Sequence, residues 1–442
     1  MTFGTTLLIS VIMLTVLILY GVPIPYAFAA PVVLIVLVND INPQMLLVTT
    51  YGKVYSLVLL AIPFFIMAGV IMEKGKIGTY LVDWIECFTG RIKGGLAAAT
   101  VVASAVFGSV CGSGSATVAC IGGIMAPRMK ASNYNPGIIG AVICCSGPLG
   151  LLIPPSAIQI LYAWSTNQSV LACFLATVCP GVLLVICMSI TSVILIKRDK
   201  QYRLPDPVIL PAPERRKKFI RVTRESIPAL IMPVIVLGGI YGGIMTPTEA
   251  GAVAIIYAIP VAVFYYKGMK LRQLKEVLTE AGITTGAILC LLTFVSIMSR
   301  LFLQEGLPQI ILNALTMISQ EQWAILLMIN VILILLGMIT DDICGTLIAA
   351  PILVPICLSI GVSPIHFAAI LGVNLGMGNI TPPCAPFIFL ASRTTGIPAA
   401  SIMKYSAVFI VTSYIPVLIL TTYIPDLSLW LPNMVLGDKL AL

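Results

Sequence analysis

The chain has 442 residues, of which 59% are hydrophobic and only 10% charged, with a formal net charge of +8 at pH 7. Soluble domains carry about 25% charged residues, so this composition excludes a water-exposed globular surface and points to a polytopic membrane protein. The basic residues are clustered rather than spread along a stripe, which excludes a nucleic-acid signature, and the single histidine, His366, weakens zinc-dependent and histidine-dependent chemistry together.

In chain order, the first apolar runs predict spans over roughly 4–20, 24–38 and 54–73. Met1–Gly4 lacks a basic run, so the first stretch reads as a span rather than a cleavable leader. A basic amphipathic stretch, Gly78–Lys93, is expected along the membrane surface. The apolar segment of about 95–130 is interrupted by Gly108-Ser-Val-Cys-Gly-Ser-Gly-Ser-Ala-Thr117. Backbone freed at such a break is untenable against lipid, so the segment reads as a re-entrant hairpin buried in protein or lining a cavity. Its glycines permit close approach and positive φ, while Ser109, Ser113, Ser115 and Thr117 offer oxygens. A small-residue packing surface is the blander reading of the same cluster.

Segment 136–164 contains Gly150-Leu-Leu-Ile-Pro-Pro-Ser156 and is expected to be a broken helix, because proline removes a donor and frees a carbonyl one turn earlier. A span over 170–196 leads to a basic, proline-rich linker, 197–225, which is expected to run extended in the cytoplasm. Further spans are predicted over 226–243, 247–266, 281–303 and 400–424, with Lys267–Glu280 along the surface. Glu249, beside Pro247 and Thr248, is placed to cap the helix that starts there.

The second half holds another hairpin, about 321–360, with the tip Gly337-Met-Ile-Thr-Asp-Asp-Ile-Cys-Gly-Thr346. A second broken helix, about 365–391, carries Gly378-Asn-Ile-Thr-Pro-Pro-Cys384. An ionised aspartate in the membrane costs at least about 2.5 kcal/mol, so Asp341 and Asp342 point to a bound cation or proton, or to a helix cap. Arg300, inside an apolar run, either snorkels to the surface or clamps a carboxylate or sulfonate.

Pro154–Pro155 recur at Pro382–Pro383, and Pro127 recurs at Pro355, each 228 residues on. Placing the linker in the cytoplasm puts 22 of the 25 Lys and Arg on that side, leaving Lys53, Arg300 and Lys439, with both termini periplasmic. Each half then holds five crossings and one hairpin, so residues 1–196 and 226–425 are expected to be inverted repeats. The expected fold is all-α, with about 10–11 transmembrane helices and two re-entrant hairpins. The 12 cysteines form no C-x-x-C pair and read as packing residues.

The motifs Gly112-Ser-Gly-Ser-Ala-Thr-Val-Ala119 with Pro127, Gly150–Ser156 and Asn379-Ile-Thr-Pro-Pro383 resemble the large membrane subunit of tripartite ATP-independent periplasmic (TRAP) transporters, in order and spacing. The resemblance implies a bacterial inner-membrane, sodium-coupled importer of an organic anion: a sialic acid, a C4-dicarboxylate or a sulfonate. It implies an elevator motion of a transport domain against a scaffold, a small membrane subunit of about four helices, and a periplasmic substrate-binding protein. It implies no enzyme activity and no cofactor beyond Na+ as the coupling ion. One sodium site would use Ser113 with carbonyls near Gly150, Ile153 and Pro155; the other would use Asp341 with Gly378, Thr381 and Cys384. Ser115 and Arg300 are the candidate substrate contacts. Cys111 stands where the family usually has serine, and Asp342 follows Asp341 where one acidic residue is usual. Proton coupling is the alternative mechanism. A channel or an intramembrane protease is a lesser one, since His366 is predicted in a periplasmic loop and the deep acids are neighbours.

Overall fold

A computed structural model of the chain describes residues 3–89, 92–199, 202 and 211–437. Among these residues all regular structure is helical. Helices α1 (Phe3–Leu19), α2 (Ile24–Val38), α3 (Pro43–Val54), α4 (Ala61–Lys74) and α5 (Ile77–Thr89) lead to a hairpin of α6 (Gly95–Cys111) and α7 (Gly114–Ala131). A broken helix follows, in pieces α8 (Pro136–Ser146), α9 (Leu149–Leu152) and α10 (Ala157–Thr166), and then α11 (Val170–Arg198). Beyond the linker come α12 (Ala212–Tyr241), α13 (Pro247–Pro260), α14 (Leu274–Gln304) and α15 (Leu307–Ile318). The second hairpin is α16 (Gln322–Ile339) with α17 (Asp342–Ser359). A second broken helix, α18 (Pro364–Gly378) and α19 (Pro386–Thr395), precedes α20 (Ala399–Phe409), α21 (Ile415–Tyr423) and α22 (Asp426–Leu436).

Seven described helices are long and apolar enough to cross a membrane alone. The pair Pro136–Leu152 and Ala157–Thr166, bent by 40°, makes an eighth. Helix starts follow local chemistry: Asn42, Asn135 and Ser363 cap helices whose first residue is proline, where a missing N–H costs nothing. At α13 the Thr246 hydroxyl accepts from Glu249 N at 3.3 Å while the Glu249 carboxylate accepts from Thr246 N at 2.8 Å, a reciprocal cap.

Each hairpin meets a broken helix through glycine. A Cβ on Gly108 would collide with the Gly150 backbone, and one on Gly378 would lie 2.6 Å from the Gly337 Cα. Buried polar pairs reinforce both contacts. Ser104 donates to Ser146 at 2.9 Å in the first half, and Asn374 donates to Asn330 at 2.8 Å in the second. The two halves then interlock. Helix α19 packs along α7, α10 along α17, and α20 along α8. Gln159 donates to the Ala368 carbonyl at 3.1 Å, Tyr162 to Pro364 O at 2.6 Å, and Tyr414 to Cys145 O at 2.6 Å. A second group is built by α4 on α13 and α14 along α2, α3 and α4, and it meets the hairpins where α14 packs on α17 and α4 on α6.

Several expectations change. The segment from Ala212 onward, expected to be extended, is the start of α12. Pro213 is tolerated in its first turn, and Glu214 sits there, where a negative charge suits the helix N-terminus. Much of the rest of the linker, including Pro205 and Pro207, lies outside the described residues, as do Arg91 and Lys439. Lys267–Glu280 is not a separate surface helix, because α14 runs unbroken from Leu274. His366 is not in a loop: it lies in the first turn of α18, 3% exposed, with its ring nitrogen 2.7 Å from Thr421 O. Helices α3, α15 and α22 were not anticipated, because each is shorter than a span.

The glycine contacts are directly testable. Gly108→Ala should destabilise the purified protein by about 1–3 kcal/mol, the usual cost of overpacking. Gly123→Ala, on the same hairpin with nothing within 4 Å of its Cβ position, should cost nothing. Thermal unfolding of the two variants side by side makes the comparison.

Candidate functional site

The two hairpin tips are built alike. The chain breaks at Gly112, whose φ of +63° suits glycine, and Ser113 caps α7 by accepting from Ala116 N at 3.4 Å. In the second tip Asp341 caps α17, its Oδ1 accepting from Cys344 N at 2.9 Å. The two caps stand 228 residues apart, the same offset that relates the proline pairs, and both Pro154–Pro155 and Pro382–Pro383 are cis.

Ser113, Ser115, Asp341 and Asp342 all line one cavity of about 600 Å³. Its opposite wall is α4 and α14, through Gly69, Glu73, Thr284 and Leu291. Ser113 and Ser115 hydroxyls lie 3.1 Å apart. Glu280 also lines the cavity, and its carboxylate pairs with Lys74 at 2.7 Å, joining α14 to α4. Four carboxylates therefore face this space.

Around the first tip the predicted residues come together. Ala157 N donates to Gly112 O at 3.1 Å, so the start of α10 holds the tip. A Cβ on Gly150 would lie 2.6 Å from Thr117 Oγ1 and 2.9 Å from Ser113 O, and one on Gly112 would lie 2.8 Å from Pro155 O. The Ile153 side chain turns toward Gly181 of α11 instead. Around the second tip, Asp341 alone of its group lines the cavity. Gly378 is held against α16, the Thr381 hydroxyl donates to Met377 O at 2.6 Å, and Cys384 is exposed. Arg300 lies elsewhere, in a second cavity of about 360 Å³ that it lines together with Lys53.

Two residues beside the breaks join the candidate set only in the folded structure. Ser156 Oγ and both polar atoms of the Asn379 side chain are buried without a hydrogen-bond partner among the described residues. Buried polar groups are normally satisfied, and the two oxygens, Ser156 Oγ and Asn379 Oδ1, suit a bound cation, whereas the Asn379 amide nitrogen can only donate. A polar residue following or preceding a Pro-Pro pair in an apolar run was the available signal. Among the described residues no cluster of His, Cys, Asp and Glu fits a transition metal. The donors at the breaks are hard oxygens, which suit an alkali cation better.

The family described as tripartite ATP-independent periplasmic transporter, DctM component, matches residues 11–427. The chain belongs to this DctM family. It is 35% identical to the C4-dicarboxylate TRAP transporter large permease protein DctM of Pseudomonas aeruginosa, covering 78% of this chain and 79% of that protein. It is 33% identical to the isethionate TRAP transporter permease protein DctMQ of Oleidesulfovibrio alaskensis, over 89% of this chain and 63% of that protein. The sialic acid TRAP transporter large permease protein SiaM of Vibrio cholerae is 29% identical, over 94% and 96%. In fold the chain is similar to the YdaH transporter of Alcanivorax borkumensis, with a TM-score of 0.60 at 15% identity over 86% of this chain and 88% of that one. As a DctM-family permease the chain is a transport component and not an enzyme.

The tip cavity of this DctM-family chain can be mapped by thiol labelling. Ser115→Cys, exposed at the tip, should react readily with a water-soluble maleimide. Thr117→Cys, two residues on and fully buried, should react far more slowly. Peptide mass spectrometry reads both.

Proposed function

We propose that this chain is the large membrane subunit of a sodium-coupled importer of a small organic anion, seated in the bacterial inner membrane. The observation that carries the reading is the meeting of Ser113 and Asp341, the N-caps of two half-helices, at one cavity inside an apolar protein. Half-helix N-termini favour anionic groups, and carbonyls freed at the breaks favour cations.

Sodium would be held at one site by Ser113 with Gly150, Ile153 and Pro155, supported by Ser156. At the other it would be held by Asp341 with Gly378, Thr381 and Cys384, supported by Asn379. Asp341 can serve both as cap and as ligand, since the cap uses only Oδ1. Ser115 is then placed to meet the substrate. Glu280 is already paired with Lys74, but Asp341, Asp342 and Glu73 disfavour an anion in the empty cavity, so cations bind first and the anion follows. Each net positive charge carried inward gains about 2.3 kcal/mol per 100 mV, which supplies the driving force.

We read residues 1–196 and 226–425 as inverted repeats, with both termini periplasmic. The hairpins and broken helices, joined by buried hydrogen bonds, form a transport domain; α2, α3, α4, α13 and α14 form the scaffold. An elevator motion of the first against the second would expose the tips to each side in turn. A small membrane subunit and a periplasmic binding protein complete the system. The names of the relatives point to C4-dicarboxylates, isethionate and sialic acids as the substrates to try first.

The test compares thermal stability in sodium and potassium chloride for the wild type and Asp341→Ser, which keeps a capping oxygen and loses the charge. A ligand at 100 times its Kd adds about 2.7 kcal/mol, so sodium should raise the wild-type midpoint by several degrees and the variant's by much less. Equal behaviour in the two salts would end the sodium reading and leave proton coupling through the Asp341–Asp342 pair. Uptake of succinate, isethionate and N-acetylneuraminate into proteoliposomes, with the binding protein present, then identifies the anion.

A further inference from the structure

The second cavity lies between the same two groups of helices as the first. Helix α14 lines the tip cavity from Glu280 to Leu291 and the second cavity from Val295 to Leu303, so their centres are roughly 20 Å apart along one helix at 1.5 Å per residue. Helix α17 shows the same succession: Asp342 and Ile343 face the tip cavity, whereas Leu347 and Pro351 face the second. Sliding the second hairpin along α14 would carry its tip toward this space.

The two cavities differ in charge. The tip cavity presents four carboxylates, whereas the second presents Lys53 and Arg300 and no acidic side chain. Among the described residues neither cation pairs with a carboxylate. Trp164, at the end of α10, donates its ring N–H to the Lys53 carbonyl at 3.2 Å, which ties the end of α3 to the moving group at the cavity wall. Ser296 and Ser299 add hydroxyl donors beside the guanidinium. Two unpaired cations with neighbouring hydroxyls in a concave space of about 360 Å³ have the chemistry of an anion receptor. Lys53 and Arg300 are also two of the three basic residues that the positive-inside tally leaves off the cytoplasmic face.

We propose that this second cavity is an anion-receiving site on the face opposite the tip cavity, where Lys53 and Arg300 take the carboxylate or sulfonate of the incoming substrate before the hairpin tips reach it. The substrate assignment rests on the function proposed above; the anion site itself does not. The site eases a difficulty in that reading, since an anion approaching the tips directly would meet the carboxylates of Asp341, Asp342 and Glu73 before cations were bound.

The experiment uses Ser296→Cys in a Cys290→Ser background, in the full chain with its small membrane subunit, labelled by anionic, neutral and cationic methanethiosulfonates and read by mass spectrometry on the peptide that carries position 296, so that exposed Cys384 does not contribute. Lys53→Gln with Arg300→Gln should lower the anionic-to-cationic rate ratio about ten-fold, as expected for removing two nearby charges from a half-wet site, and leave the neutral rate unchanged. An unchanged ratio would overturn the proposal, and a changed neutral rate would show that the cavity itself had been disturbed, overturning it as built. With the anion identified by the uptake screen, Arg300→Gln should raise KM about ten-fold with little change in kcat. A loss of kcat at constant KM would overturn the receiving role. If no anion is taken up by the wild type, the proposed function fails, and the labelling ratio still decides whether the cavity attracts anions.

Discussion

Everything at the tip cavity depends on two places where backbone packs on backbone. Gly108 against Gly150 and Gly337 against Gly378 bring an arm of each hairpin onto a broken helix with no side chain between them. In an apolar surrounding a helix break is stable only if its freed carbonyls and amides find partners, and protein is the only source of them at depth. The glycine contacts bring each hairpin close enough to its break to supply those partners. The Ala157 amide on Gly112 O, at 3.1 Å, is what that closeness permits.

The same geometry explains why the polar residues can sit where they do. Ser113 and Asp341 each satisfy a half-helix N-terminus, so neither is an unpaired polar group waiting for a ligand. The Asp341 cap uses Oδ1, and Asp342 stands beside it on the cavity wall, while Ser156 and Asn379 hold buried polar atoms without a partner among the described residues. The two cavities are partitioned by charge along one helix, α14, acidic at the tips and basic beside Lys53 and Arg300.

Much of this was legible in the residues. Glycine and serine crowded into an apolar run at Gly108–Thr117, and paired aspartates at 341–342, announce breaks, and the breaks fall there. Glu249 beside Pro247 announced a cap, and it forms one with Thr246. Other elements were hidden for physical reasons. Helices α3 and α15 are too short to span, so a search tuned to bilayer thickness passes over them, although α15 carries apolar residues at Leu307, Ile310, Ile311 and Leu315 with helical spacing. His366, expected in a loop, instead sits in the first turn of α18, where Pro364 opens the helix and the ring is buried.

By itself the sequence determined the membrane setting, the hairpins and the broken helices, because hydropathy, glycine and proline act locally and need no partner. It could not decide which breaks face one another. That Asp341 shares a cavity with Ser113, that Arg300 belongs with Lys53 and not with the tips, and that α10 and α19 each pack on the other half's hairpin are matters of tertiary structure. They follow from backbone approach at glycine pairs and from hydrogen bonds between residues some 200 or more positions apart, such as Gln159 to Ala368 and Tyr414 to Cys145. No local pattern encodes such a pairing; only the assembled shape does.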